Sequence, residues 1–277
     1  ARSKRNRAMV ETMNAVTKPH GICLDFEHDI VPRSYAEQGG AITERHLLFA
    51  LSLKLIETVG KGQRLIAFLT ETLDIPLTGT QRQYLMDTDC DLYAYDVLNV
   101  LKGAFVKRIY IDTSRDETPP VREAVDFIKS LGAIPSYCYL GDVIASPTGD
   151  KAAQAFEDEY LEELFPLLVD IGFDAVAFMP SRNTPKQLGR IMALCGEYGL
   201  MQISGEDINQ PRQSFICEEL KTPQYRHLID TTWALIGHER AATRRIEDGM
   251  FHKANHRKEL DDIIKRYMNI GRNGLPD

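Results

Sequence analysis

Residues 201–212, Met201-Gln-Ile-Ser-Gly-Glu-Asp-Ile-Asn-Gln-Pro-Arg212, decide how this chain is read. A short apolar run breaks at Ser204-Gly205 and then presents Glu206, Asp207 and Asn209, with Pro211 barring a smooth continuation. A buried strand that ends in a glycine turn carrying carboxylates is how an α/β enzyme delivers ligands to its active face. Gly, Asp, Asn and Pro are also turn formers, so a plain surface turn competes with that reading. What lies on either side of the stretch tips the balance.

Moving upstream, Ala175-Val-Ala-Phe-Met179 reads as a strand followed by Pro180-Ser-Arg182-Asn, and Thr184 then caps a helix to Tyr198 closed by Gly199. Ile134-Pro-Ser-Tyr-Cys-Tyr139 is a strand leading to Gly141-Asp142, and Pro119–Ser130 is a helix with Pro in its first turn. Two more strands are expected at 21–26, ending on Glu27, and at 108–112. Helices are expected at 4–17, at 44–59 after a Thr43 cap, at 63–73 and at 150–170, with mixed helical signals over 81–103. Downstream, 223–244 and 257–268 read as helices. Strand, loop and helix repeating at intervals of roughly 25–40 residues imply parallel βαβ units with right-handed crossovers. The polar residues collect after the strands, on the face where such folds place their chemistry.

Composition narrows the class. At 277 residues and 43% hydrophobic, the chain can bury a sizeable core. A net charge of −7 argues against nucleic-acid binding as the main activity, and no apolar run approaches the ~20 residues of a membrane span. Five scattered cysteines without a C-x-x-C imply buried thiols in a reducing, cytoplasmic setting. The basic N-terminus lacks an apolar segment behind it, and the chain enters a helix-like stretch without an initiating Met, as if entered midway. Residues 1–250 are expected as one domain, with 251–277 a solvated helical tail.

In order and spacing, four segments resemble the PHP (polymerase and histidinol phosphatase) family of metal-dependent phosphoesterases. Asp174–Gln187 with Ser204-Gly-Glu-Asp-Ile-Asn209 is similar to the family's run into its Ser-Asp-x-His turn. Val121–Asp142 resembles the helix and strand ending in its "AHPG", Ile42–Leu51 its "TRPHIARAL" segment, and Leu24-Asp-Phe-Glu27 the strand ending in its metal-bridging Glu. The resemblance implies a distorted parallel (β/α) barrel, TIM-barrel-like and incomplete at the N-terminus. It also implies a hydrolase acting on a small phosphorylated molecule; a homo-oligomer is a further possibility.

Residue by residue, the resemblance makes Glu27 the metal bridge, with His46, Tyr139, Asp207 and Asn209 as further metal ligands for Zn, Mn, Fe or Mg. Glu27, His46, Asp207 and Arg182 would be catalytic, and Arg182, Arg212 and Glu206 would hold the substrate. The departures matter as much. No His-x-His strand is present, and Tyr139 and Asn209 stand where the family has histidines. A phenol and an amide are poor ligands for transition metals, so a member that binds a ligand or partner without turnover is one alternative. A barrel isomerase or lyase using Glu27, His46 and Asp207 with one divalent ion is the other.

Overall fold

The computed structural model describes residues 1–142, 155, 157–208, 210–255 and 259–275. Packing divides the chain into two compact units, residues 1–118 and the described residues from Pro119 onward.

The first unit is helical. Its elements are α1 (Arg2–Thr17), α2 (Glu44–Val59), α3 (Gln63–Ala67), α4 (Gly79–Met86), α5 (Tyr93–Ala104) and the single turn α6 (Val106–Ile109). Apolar residues recur in α2 at the 3–4 spacing that lines one helical face, and Leu47, Leu48, Leu51 and Leu55 are all fully buried. Each contributes about 1.5–3 kcal/mol by leaving water. Val97 and Leu101 of α5 and Met9 and Met13 of α1 close the same core. On the polar side of α1, Arg5 is buried between Glu117 and Glu44, at 3.1 and 3.2 Å, and these carboxylates raise its pKa.

The second unit is a small three-layer α/β body. Its elements are α7 (Val121–Ser130), β1 (Ser136–Cys138), α8 (Leu161–Ile171), β2 (Ala175–Phe178), α9 (Pro185–Tyr198), β3 (Met201–Ser204), α10 (His227–Arg244) and α11 (Leu260–Asn273). The strands are parallel in the order β1-β2-β3, with Ser136 opposite Ala175 and Phe178 opposite Ser204. Side chains alternate across a pleated strand. Val176 and Phe178 therefore pack on Phe165, Leu188 and Ile191 of α8 and α9, while Ala175 and Met201 pack on Ala234, Ile263 and Tyr267 of α10 and α11. Thr184 caps α9 through a reciprocal pair with Gln187, and Gly199 ends it in the left-handed conformation.

This architecture corrects the expected barrel. The sheet is open and three strands wide, and the body is mostly helical. Residues 22–26 do alternate in burial as a strand would: Ile22, Leu24 and Phe26 are inside, Cys23 and Asp25 outside. No ladder forms there, because the Asn14 amide takes the place of a neighbouring strand, donating to Leu24 O and accepting from Leu24 N at 2.8 Å each. The stretch 108–112 begins inside α6, and Arg108 turns back to the carbonyls of Leu73 and Asp74.

Two smaller expectations also change. Residues 260–273 are no solvated tail, since Ile263, Tyr267 and Ile270 are buried against α10. Of the five cysteines only Cys195 is buried, while Cys23 and Cys138 are exposed, and none of the five is in a disulfide. Among the described residues no helix is long and apolar enough to cross a membrane.

His238 on α10 gives the second unit a pH dependence. Its Nδ1 accepts from Met250 N at 2.9 Å, and burial lowers its pKa; burial lowers that of His227 as well. An unfolded histidine titrates near about 6.5. Just below that value the unfolded chain binds more protons than the native one, so stability falls as pH falls. The contribution is whole above the unfolded pKa and is lost on descending towards the folded one. The urea midpoint should therefore drop between about pH 7 and pH 5.5, and less steeply in His238→Gln. Equal slopes for both proteins would show that His238 does not titrate with unfolding.

Candidate functional site

Glu27 and His46 lie in the first unit, and Tyr139, Arg182, Glu206, Asp207 and Arg212 in the second. Asn209 falls outside the described residues.

In the first unit both candidates are engaged locally. Glu27 follows Asp25, whose carboxylate caps a wide helical turn over Phe26–Ile30 by accepting from His28 N at 2.8 Å. It is exposed and paired with Arg7, whose guanidinium stacks over Phe26 at 4.3 Å. His46 is the third residue of α2, and its Nδ1 accepts from Thr43 N at 3.1 Å to complete a capping box. The cap explains both the residue type and its spacing from Thr43. Replacing His46 with Ala should lower stability by about 0.5–1 kcal/mol in denaturant melts. Bound-metal content should stay as in the unaltered protein, and a loss of metal would restore His46 as a ligand.

In the second unit the C-terminal ends of the strands carry a dense polar cluster. After β1 the chain turns at Gly141, where φ is +70°. A Cβ there would sit 2.8 Å from both Tyr139 Oη and Asn183 Nδ2, so only glycine fits. Glu157, fully buried, organises the turn. One carboxylate oxygen accepts from Leu140 N at 3.0 Å and Gly141 N at 2.7 Å, and the other accepts from Tyr137 Oη. Asp142 Oδ1 accepts in return from Glu157 N at 2.9 Å. Gln187 of α9 donates to Asp142 O and Asp158 Oδ2, both at 2.9 Å, and Asn183 donates to Leu140 O at 2.8 Å.

Tyr139 belongs to this scaffold and does not fit a metal. Its ring is buried and its hydroxyl donates to Asp158 Oδ1 at 2.5 Å. Burial first, and the Asp158 carboxylate second, push its pKa far above the usual phenol range. A phenol held protonated and already donating offers no anionic oxygen to an ion.

The turns after β2 and β3 emerge side by side, because the two strands pair as far as Phe178 and Ser204. Gly205 N donates to Phe178 O at 3.2 Å, and Ser181 Oγ donates to the Glu206 carboxylate. Arg182 occupies the first of these turns, with Arg182 N donating to Met179 O at 3.0 Å. Its Nε is buried with no hydrogen-bond partner among the described residues. Asp207 and Arg212 are exposed on the second turn, where Gln213 Nε2 donates to Asp207 O at 3.1 Å. The Cys217 thiol nearby is pushed up to about 12 by burial and by the carboxylates of Glu206 and Glu219, so it is no nucleophile.

Among the described residues no group of three His, Cys, Asp or Glu side chains is arranged to hold a metal ion. With Glu27 on Arg7, His46 in a cap and Tyr139 on Asp158, the ligand set implied by the resemblance does not fit a metal centre. Sequence reading missed Glu157, Asp158 and Gln187. The first two sit in an acidic run, Glu157-Asp-Glu-Tyr-Leu-Glu-Glu163, that looks like a solvated face. Comparison of the chain with protein-family models, curated proteins and solved structures gave no match.

Proposed function

We propose that the second unit binds a small phosphorylated molecule at the C-terminal ends of its strands and does not hydrolyse it. The observation that carries this reading is Arg182, which occupies the turn after the central strand and whose Nε is buried without a hydrogen-bond partner among the described residues. A buried donor left unmade costs about 1–3 kcal/mol, which an incoming oxyanion would relieve. The guanidinium fork matches phosphate geometry, and Arg is preferred over Lys for such two-point contacts. Ser181 and Glu206, joined across the two turns, are suited to hydrogen-bond hydroxyl groups on the rest of the ligand. Absence of turnover is supported by the local engagement of Glu27, His46 and Tyr139.

The direct test titrates a hexose phosphate and the same unphosphorylated hexose into the protein by calorimetry. The phosphate ester should bind and the free sugar should not. Arg182→Ala should weaken binding by about 30-fold or more, and Arg182→Lys should recover only part of it. Equal affinity of the Arg182→Ala protein would remove the basis of the proposal.

A further inference from the structure

The second unit also contains a cavity of about 530 Å³ at the N-terminal end of the strands, beside Ile134 before β1 and Asp174 before β2. Its volume lies in the range of small-molecule sites. One wall is the loop 246–253, and three side chains hold that loop at three successive residues. Tyr267 Oη donates to Asp248 O, Asn255 Nδ2 donates to Gly249 O at 2.8 Å, and His238 Nδ1 accepts from Met250 N at 2.9 Å. Tyr267 and Asn255 are themselves buried, so the wall is pre-formed.

The lining is mixed in a particular way. Ile134, Ile246 and Phe251 give it an apolar surface. Asp126 and Lys129 contribute opposite charges from α7, the latter paired with Asp174 at 3.1 Å, and Lys253 contributes a cation from the loop. His238 adds no charge, because burial lowers its pKa and its Nδ1 already accepts a hydrogen bond. The formal charges of Asp126, Asp174, Lys129 and Lys253 cancel, which disfavours a simple anion or cation and suits a ligand carrying both signs.

We infer that this cavity is a second ligand site, for a small zwitterion with an apolar side group, of the free amino-acid class. The ammonium would lie towards Asp126 on α7, the carboxylate towards Lys253 on the loop, and the side group against Phe251 and Ile246.

Calorimetry on the full chain at neutral pH tests this with phenylalanine and leucine. Two half-ligands, phenethylamine and 3-phenylpropionate, serve as controls. At least one amino acid should bind with a Kd below about 1 mM, and each half-ligand at least about tenfold more weakly. Asp126→Asn and Lys253→Ala, both at exposed positions, should each weaken the amino acid about tenfold. Arg182→Ala should leave it unchanged, separating this site from the phosphate site. No binding of either amino acid, or binding indifferent to both cavity variants, would overturn the inference.

Discussion

Gly237→Ala is expected to unfold the second unit or to destabilise it by about 4 kcal/mol or more, the largest effect of any single methyl group in this chain. Helices α10 and α11 cross with Gly237 and Gly271 facing each other. A Cβ on Gly237 would lie 1.9 Å from the Tyr267 carbonyl oxygen, and one on Gly271 would lie 1.9 Å from that of Trp233. Backbone on both sides cannot yield as a flexible side-chain tip would. The crossing is further fixed by Arg240 of α10, which donates to the carbonyls of Ile270 and Gly271 in the last turn of α11 at 3.1 and 2.8 Å. Gly189→Ala is the matched control. It is an exposed glycine inside α9 with nothing near its missing Cβ, so the substitution should stabilise by up to about 1 kcal/mol. Chemical denaturation of both proteins checks the pair, and equal small effects would show that the two helices do not approach as closely as described.

The second large effect is expected at Glu157. Replacement by Ala removes the acceptor of Leu140 N, Gly141 N and Tyr137 Oη together. Leaving such donors without partners costs about 1–3 kcal/mol each, for a total near about 4 kcal/mol once some rehydrate. Glu157→Gln should cost far less, about 1–2 kcal/mol. Its carbonyl oxygen can face the two backbone donors, and its amide can donate to the tyrosine hydroxyl. Urea unfolding followed by tyrosine fluorescence distinguishes the two. If Gln proved as damaging as Ala, the negative charge and not the acceptor geometry would be what holds the turn. Since this turn supports Asn183 beside Arg182, Glu157→Ala should also weaken phosphate-ester binding, whereas Gln should retain it.

Local signals in the sequence translated well. Thr43 and Gly60 bound α2 at the expected residues, and Thr184 and Gly199 bound α9. Capping and left-handed termination depend only on neighbours a few residues away. The three strands of the second unit were legible for the same reason, as short apolar runs punctuated by Gly and Pro. Pairing was not legible. Residues 22–26 have the alternation of a half-buried strand, but alternation states only which side chains are inside, and here the hydrogen bonds come from Asn14.

Site residues divide along the same line. His46 and Glu27 were conspicuous by type, yet a capping histidine and an ion-paired glutamate have the same letters as metal ligands. Glu157 and Asp158 were hidden because an acidic run reads as solvated unless the buried amides that it serves are known. Arg182 was legible as a residue following a strand; its unpartnered Nε was not.

The measurement that bears most directly on the central claim is phosphorus-31 NMR of a hexose phosphate mixed with the protein, with and without added Mn²⁺ or Zn²⁺ in separate enzymatic incubations quenched with chelator. Binding without turnover predicts a shifted or broadened ester resonance in the metal-free sample that returns to its free position with Arg182→Ala. It also predicts no inorganic phosphate above the protein-free control in any sample. Growth of an inorganic phosphate signal that depends on metal and on Glu27, His46 or Asp207 would contradict the account and make the protein a phosphoesterase.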